Sequence, residues 1–366
     1  MYKKFFMGIA AMAALTLVSC SSDDLNSFSD NSSKNEAISF DGYLGRSAVA
    51  VNGTRGSVET VDKLKTDGFG VFGKYDAEDG KTTDANFFKN QKVTYSNTKW
   101  TYSPLKFWPT QGHIDFLAYA PYVNGTELTG SKINFNVADK AADQTDLLWT
   151  NATGSKSADL TSTKEKVNFH FYHALSRLGY TVKLYGDNPS ANLANNVTFK
   201  VNKITLAGSS DGKTNNAFYK TGTIDLSKAN KADDLWDTSS SSSNDAKQNF
   251  DLVSSDQLLG KDGINSGKNY LFVIPQDFSQ TKTEGHDVDE LYVYVEYTID
   301  YGGETGSVKN TVYKQIKKKF EQGKAYMLNL TLGRPIEFDV DVTNGVEDWG
   351  TDENINIGSN DTPWDR

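Results

Sequence analysis

The chain has 366 residues, one cysteine and a formal net charge of −9 at neutral pH. A single thiol excludes an intrachain disulfide, so packing alone must hold the fold. An acidic chain is a poor partner for a phosphate backbone, so nucleic acid is set aside.

The first element in chain order is a leader. Lys3 and Lys4 precede an almost wholly apolar run from Phe5 to Val18. That run has the length of a signal-peptide core and is too short to span a bilayer as a mature helix. Leu17-Val18-Ser19-Cys20 follows, and it resembles the lipobox of bacterial lipoproteins. The resemblance implies diacylglycerol on the Cys20 sulfur, removal of residues 1–19 as a signal peptide, and acylation of the new amino terminus. Several acyl chains (palmitate is the usual kind) make a firm membrane anchor, because each buried methylene adds about 0.8 kcal/mol. Losing Lys3 and Lys4 moves the net charge from −9 to −11. Residues 20–35 are polar and read as a flexible tether. Ser21-Ser22-Asp23-Asp24 resembles the acidic export signal of surface lipoproteins in the Bacteroides group; an acidic solvated linker is the other reading.

Beyond the tether the periodicity is that of strands. Val167, Phe169 and Phe171 alternate in 167–173, and Tyr180, Val182 and Leu184 in 179–185. Residues 291–301, 326–332 and 336–342 alternate in the same way, and 69–75, 113–122 and 197–206 are further candidates. Period-2 alternation between Gly, Asn, Asp and Ser clusters predicts antiparallel sheets with one buried face. Short helical turns are expected near 140–148 and 174–178. The polar stretch 151–166 is the preferred domain boundary, and the serine-rich 237–245 reads as an exposed loop. The expected organisation is all-β, with β-sandwiches over 36–166 and 167–342 and an extension over 343–366.

Several motifs imitate chemistry. Residues 68–73, GFGVFG, match the dinucleotide-binding glycine pattern, but that pattern must close a strand and open a helix. Glycine inside a strand more often marks a bulge or a close backbone approach. His170 and His173 would fall on opposite faces of a strand, and His113 and His286 are isolated. The acidic turn at 76–80 lacks an ordered ladder of calcium ligands, and 339–345 lacks the glycine of an EF-hand. Trp100 and Trp108 read as core rather than as a sugar platform. No catalytic residue, metal site or cofactor is expected.

The order of features resembles a known family. AISFDGYLGR (37–46), GTRGS (53–57) and DGFGVFGKY (67–75) are followed by the stretch from Trp100 through FWP to DFLAYAP, then by F-x-H-x-L-x-x-L beginning at Phe171. Together these resemble the fimbrillin-like lipoproteins of Bacteroidales, the subunits of type V pili. The resemblance implies two tandem transthyretin-like antiparallel β-sandwich domains and assembly rather than catalysis. It implies export to the outer membrane as a lipoprotein, removal of an N-terminal strand by an arginine-specific protease, and filling of the emptied groove by a strand from another pilus subunit. On this chain Ile38 and Phe40, with Leu44, alternate as the displaced first strand. Arg55 in NGTRGS is the expected cut, leaving Gly56 as the new terminus, with Arg46 the alternative. Ile355 and Ile357, two apart in the C-terminal extension, are the candidate donor residues; the rest of 346–366 reads as too polar to pack on its own domain. A monomeric surface lipoprotein binding glycans through exposed aromatics is the competing reading.

Overall fold

The computed structural model describes residues 37–44, 58–76, 84–109, 112–151, 158–159, 166–184, 197–239, 243–267, 269–281, 288–302, 306–332 and 353–357. Cys20, Arg46, Arg55, Gly56, Trp349 and Trp364 lie outside the described residues, as do His286 and the stretch 336–342.

The first half runs β1 (Phe40–Leu44), α1 (Val61–Asp67), β2 (Phe69–Asp76), β3 (Phe88–Ser96), β4 (Lys99–Thr101), β5 (His113–Ala120), β6 (Lys132–Asn136), β7 (Leu148–Asn151), β8 (Ala158–Asp159) and β9 (Val167–His173). An eight-stranded sheet has the order β1-β9-β7-β5-β2-β3-β4, with β8 beside β5.

The second half begins with β10 (Ser176–Leu184), β11 (Thr198–Ala207), β12 (Phe218–Tyr219), β13 (Thr221–Asp225), β14 (Trp236–Asp237), β15 (Lys247–Gln248), β16 (Phe250–Val253) and β17 (Gln257–Leu258). It continues with β18 (Ile264–Asn265), β19 (Leu271–Val273), β20 (Gln276–Asp277), β21 (Tyr292–Asp300), β22 (Ser307–Gln315), β23 (Lys319–Phe320), β24 (Ala325–Leu332) and β25 (Glu353–Ile357). Its main sheets have the orders β18-β10-β24-β25 and β16-β11-β21-β22.

Three expectations need correction here. The sheets are not purely antiparallel: β1 runs parallel to β9, β10 to β24, and β24 to β25. Parallel partners are joined by long connections, so no turn signal marks them in the sequence. The stretch 174–178 is not helical, because β10 starts at Ser176 and pairs β19 and β24. The C-terminal stretch is not too polar to pack on its own chain, since Glu353–Ile357 closes the open edge of β24. Backbone pairing at an edge does not need an apolar side chain at every position.

The expected change of domain at 166/167 is not a change of sheet. The strand 167–173 belongs to the eight-stranded sheet, while β6 pairs β13 in the second half. The described residues form two hydrophobic cores. One is built from Phe40, Phe69, Phe88, Phe116, Phe169 and Phe171 with their neighbours. The other gathers the second half around Phe218, Leu206, Val295 and Leu328, and takes in Phe72, Leu117, Tyr119 and Trp149 from the first sheet. The eight-stranded sheet is therefore covered on both faces at its centre, and β5 is buried continuously from Phe116 to Ala120. Asn35–Arg366 accordingly forms one compact unit.

Helix α1 has no long apolar stripe to announce it. Its ends are nevertheless encoded: the Thr60 hydroxyl accepts from the Lys63 N–H at 3.2 Å, and Gly68 closes the helix at a φ of 72°. Leu64 is its buried residue.

Candidate functional site

β1 is an edge strand with one sheet neighbour among the described residues, β9. Phe40 lies opposite Val167, Gly42 opposite Phe169, and Leu44 opposite Phe171. Ile38, Phe40 and Leu44 are 1%, 2% and 6% exposed. The alternation expected from the sequence thus points these side chains into the core. The two intervening positions differ: Asp41 is partly exposed and Tyr43 is 51% exposed.

Phe40 sits in an aromatic cage. Its ring centroid lies 5.3 Å from Tyr102, 5.5 Å from Phe88, 5.7 Å from Phe169 and 5.8 Å from Phe116. Gly42 lets the strand pass close to other rings, since a Cβ there would meet Phe69 at 3.1 Å and Trp100 at 3.4 Å. Each fully buried aromatic of this kind contributes about 1.5–3 kcal/mol. Removing β1 would leave an apolar trough and a row of unpaired backbone groups along β9, an arrangement that a new strand can satisfy.

Ahead of β1, the chain is held by a loop rather than by a strand. Ile38 N–H donates to the Lys106 carbonyl at 2.8 Å, and the Tyr102 hydroxyl donates to the Ile38 carbonyl at 2.8 Å. Burial pushes the Tyr102 hydroxyl pKa above its usual value, with the Lys106 backbone opposing. On the solvent side Lys166 and Asp41 approach to 3.4 Å, both about half exposed, a pair worth little in water.

The chain is described again from Val58. Glu59 is 1% exposed, and its N–H donates to Asp146 Oδ2 at 2.8 Å. The other Asp146 oxygen lies 3.0 Å from His173 Nδ1. Lys63 reaches Glu59 at 2.5 Å and Asp67 at 2.8 Å. Burial raises the Glu59 carboxyl pKa to about 8, with Lys63 opposing. Burial also lowers the Lys63 pKa, but Glu59 and Asp67 outweigh that and hold it above the usual value. The sequence offered no sign of this group, because Glu59, Asp146 and His173 are far apart along the chain.

The other motifs resolve as structure. GFGVFG runs from the end of α1 into β2, with a register shift between Val71 and Gly73. A Cβ on Gly70 would lie 2.4 Å from Tyr119, and one on Gly73 would lie 2.7 Å from Phe88. His173 faces inward with Val167, Phe169 and Phe171, while His170 lies on the other face and stacks on Tyr172. Trp108 and Trp149 are buried and Trp100 and Trp236 half-buried, so these four do not form an exposed platform. Among the described residues no group of His, Cys, Asp and Glu could hold a metal ion. A cavity of about 550 Å³ in the second half includes Tyr219, Trp236, Gln276, Asp289 and Phe320 in its wall. Its Asp289 is occupied by Tyr219, Gln276 and Lys247.

A family described as fimbrillin-like matches residues 54–349. The chain is 26% identical to the fimbrium subunit Fim1C of Phocaeicola vulgatus, over 95% of this chain and 97% of that one. Among solved structures, a proposed cell adhesion protein from Bacteroides ovatus aligns with a TM-score of 0.49 at 16% identity, covering 88% of this chain and all of that one. A fimbrial assembly protein from Parabacteroides distasonis aligns with a TM-score of 0.39 at 11% identity, covering 82% and 93%.

Proposed function

We propose, because the chain belongs to the fimbrillin-like family, that it is a structural subunit of a cell-surface fimbrium that polymerises by strand exchange and supports adhesion. It reaches the outer membrane as a lipoprotein anchored through Cys20. An arginine-specific protease then cuts after Arg55, leaving Gly56 as the new terminus. β1 departs, and the slot beside β9 accepts the strand around Ile355 and Ile357 from a neighbouring subunit. The two halves act as tandem transthyretin-like domains, the first built on the eight-stranded sheet and the second on the sheets that contain β10 and β11.

The observation that carries the reading is the state of β1: an edge strand, parallel to its one sheet neighbour among the described residues, with Phe40 and Leu44 buried inward and Ile38 buried just ahead of it. The proposed donor matches it in kind. β25 is also an edge strand running parallel to its neighbour, with Ile355 opposite Leu328 and Ile357 opposite Leu330. Those two leucines are buried. Donation would uncover the edge of β24, which a strand from a further copy or the freed tail would need to cover again.

The test is limited digestion of the full chain with an arginine-specific protease, followed by terminal sequencing. Cleavage after Arg55 and loss of residues 37–44 from the folded body are expected. A first cut after Arg177 or Arg334, with the first strand still protected, would overturn the reading.

A further inference from the structure

We propose that Asp146 is the positioning residue that keeps residues 58–68 fixed to the slot-bearing sheet once β1 has gone. The inference rests on the reading that β1 is released. Its basis is where the chain is attached on either side of the cut connection. The last residue of β1, Leu44, lies opposite Phe171 on β9. The chain is tied again at Glu59, whose N–H is held by Asp146, and Asp146 is in turn held by His173. His173 is the final residue of β9, two positions beyond Phe171, and its carbonyl accepts from Gln322 Nε2 at 3.1 Å. The strand that loses β1 therefore carries, at its own end, the tie that secures the retained chain. None of these contacts uses a residue of β1.

Such a tie has a physical task. A new chain terminus frays unless something holds it. Val58, Val61 and Leu64 follow the cut closely, and a loosened segment carrying them would compete for the emptied apolar trough. A buried N–H held by a carboxylate oxygen is among the stronger hydrogen bonds. Asp146 has a second oxygen for the His173 ring, so one side chain, two residues ahead of β7, joins the retained segment to the end of β9. Thr60 then caps α1, and Lys63 bridges Glu59 and Asp67 along the helix. The sequence from Glu59 to Gly68 is thereby fixed from its first residue onward, and the slot stays open for an incoming strand.

The experiment compares full-length wild type, Asp146→Ala and Asp146→Asn before and after arginine-specific cleavage, by hydrogen exchange of residues 58–68 and by yield of detergent-resistant multimers. In wild type, cleavage should leave exchange in that segment unchanged. In Asp146→Ala, cleavage should speed it about tenfold or more and lower the multimer yield, because the opened segment has lost its tie. Asp146→Asn keeps an acceptor oxygen and should behave closer to wild type. Should Asp146→Ala fail to fold uncut, Glu59→Pro removes the N–H donor together with the carboxyl that meets Lys63 and should give the same acceleration, whereas Glu59→Gln, which loses the carboxyl but keeps the N–H, should not. Wild-type protection in the cut Ala or Pro variant would overturn the inference. A cut wild type that keeps β1 and forms no multimers would instead sink the strand-exchange reading, with Asp146 intact.

Discussion

Phe40 stacks on Phe169, with ring centroids 5.7 Å apart and planes 14° apart. One ring belongs to the edge strand and the other to the strand beside it, so this contact is where the first strand is held or lost. Phe40→Ala should destabilise the uncut protein by about 3 kcal/mol or more. Urea denaturation should show that loss in the precursor and none after cleavage, when the strand has left. Equal destabilisation of both forms would mean that the strand is retained.

Gly70→Ala tests the close approach in β2. An added Cβ would sit 2.4 Å from the Tyr119 ring, below any real contact. Tyr119 would have to move, breaking its hydroxyl contacts to Asn90 and Val123, both 2.8 Å. A loss of about 1–3 kcal/mol is expected from denaturant midpoints. A neutral outcome would show that Tyr119 has room the structure does not indicate.

Glu59→Gln tests the buried carboxyl through pH. The folded chain holds the Glu59 proton up to about pH 8, whereas the ordinary value is 4.5. Between those values the folded state binds the proton more tightly than the unfolded state. The contribution is complete below about 4.5 and is lost as pH rises through about 8. The stability of Glu59→Gln relative to wild type should therefore rise with pH across that window, read from urea midpoints. A pH-independent difference would place the charged form in the fold.

Cys20→Ala should abolish lipid labelling and membrane anchoring of the precursor. The basis is the apolar leader ending at Leu17-Val18-Ser19-Cys20. Membrane fractionation and metabolic lipid labelling measure it, and an unchanged distribution would refute lipidation at that residue.

Truncation of residues 350–366 tests the donor. Protease-matured subunits lacking them should form few detergent-resistant multimers, while the folded body persists. If the truncated subunit polymerises as well as the intact one, β25 is not the donor.

The sequence by itself determined what short-range chemistry can write. Alternation in 167–173 gave β9 its inward face, because a strand repeats every two residues and Val167, Phe169 and Phe171 fall in step. The same rule placed Ile38 and Phe40 inward and separated His170 from His173. The glycine-rich stretch and the family resemblance were legible for the same reason: each is a local pattern. Helix α1 was written in its caps, Thr60 and Gly68, but seven residues are too few for a helical stripe to stand out. Ala-Leu-Ser-Arg-Leu at 174–178 reads locally as a helical turn, and the pairing of β10 with β24 overrides it. Tertiary structure alone decided that β1 lies parallel to β9, since backbone hydrogen bonds carry no residue code for a distant partner. It alone covered both faces of β5, because the second half of the chain supplies the other layer. It also brought Glu59, Asp146 and His173 together, for burial requires a partner for every polar group but does not say in the sequence where that partner will come from.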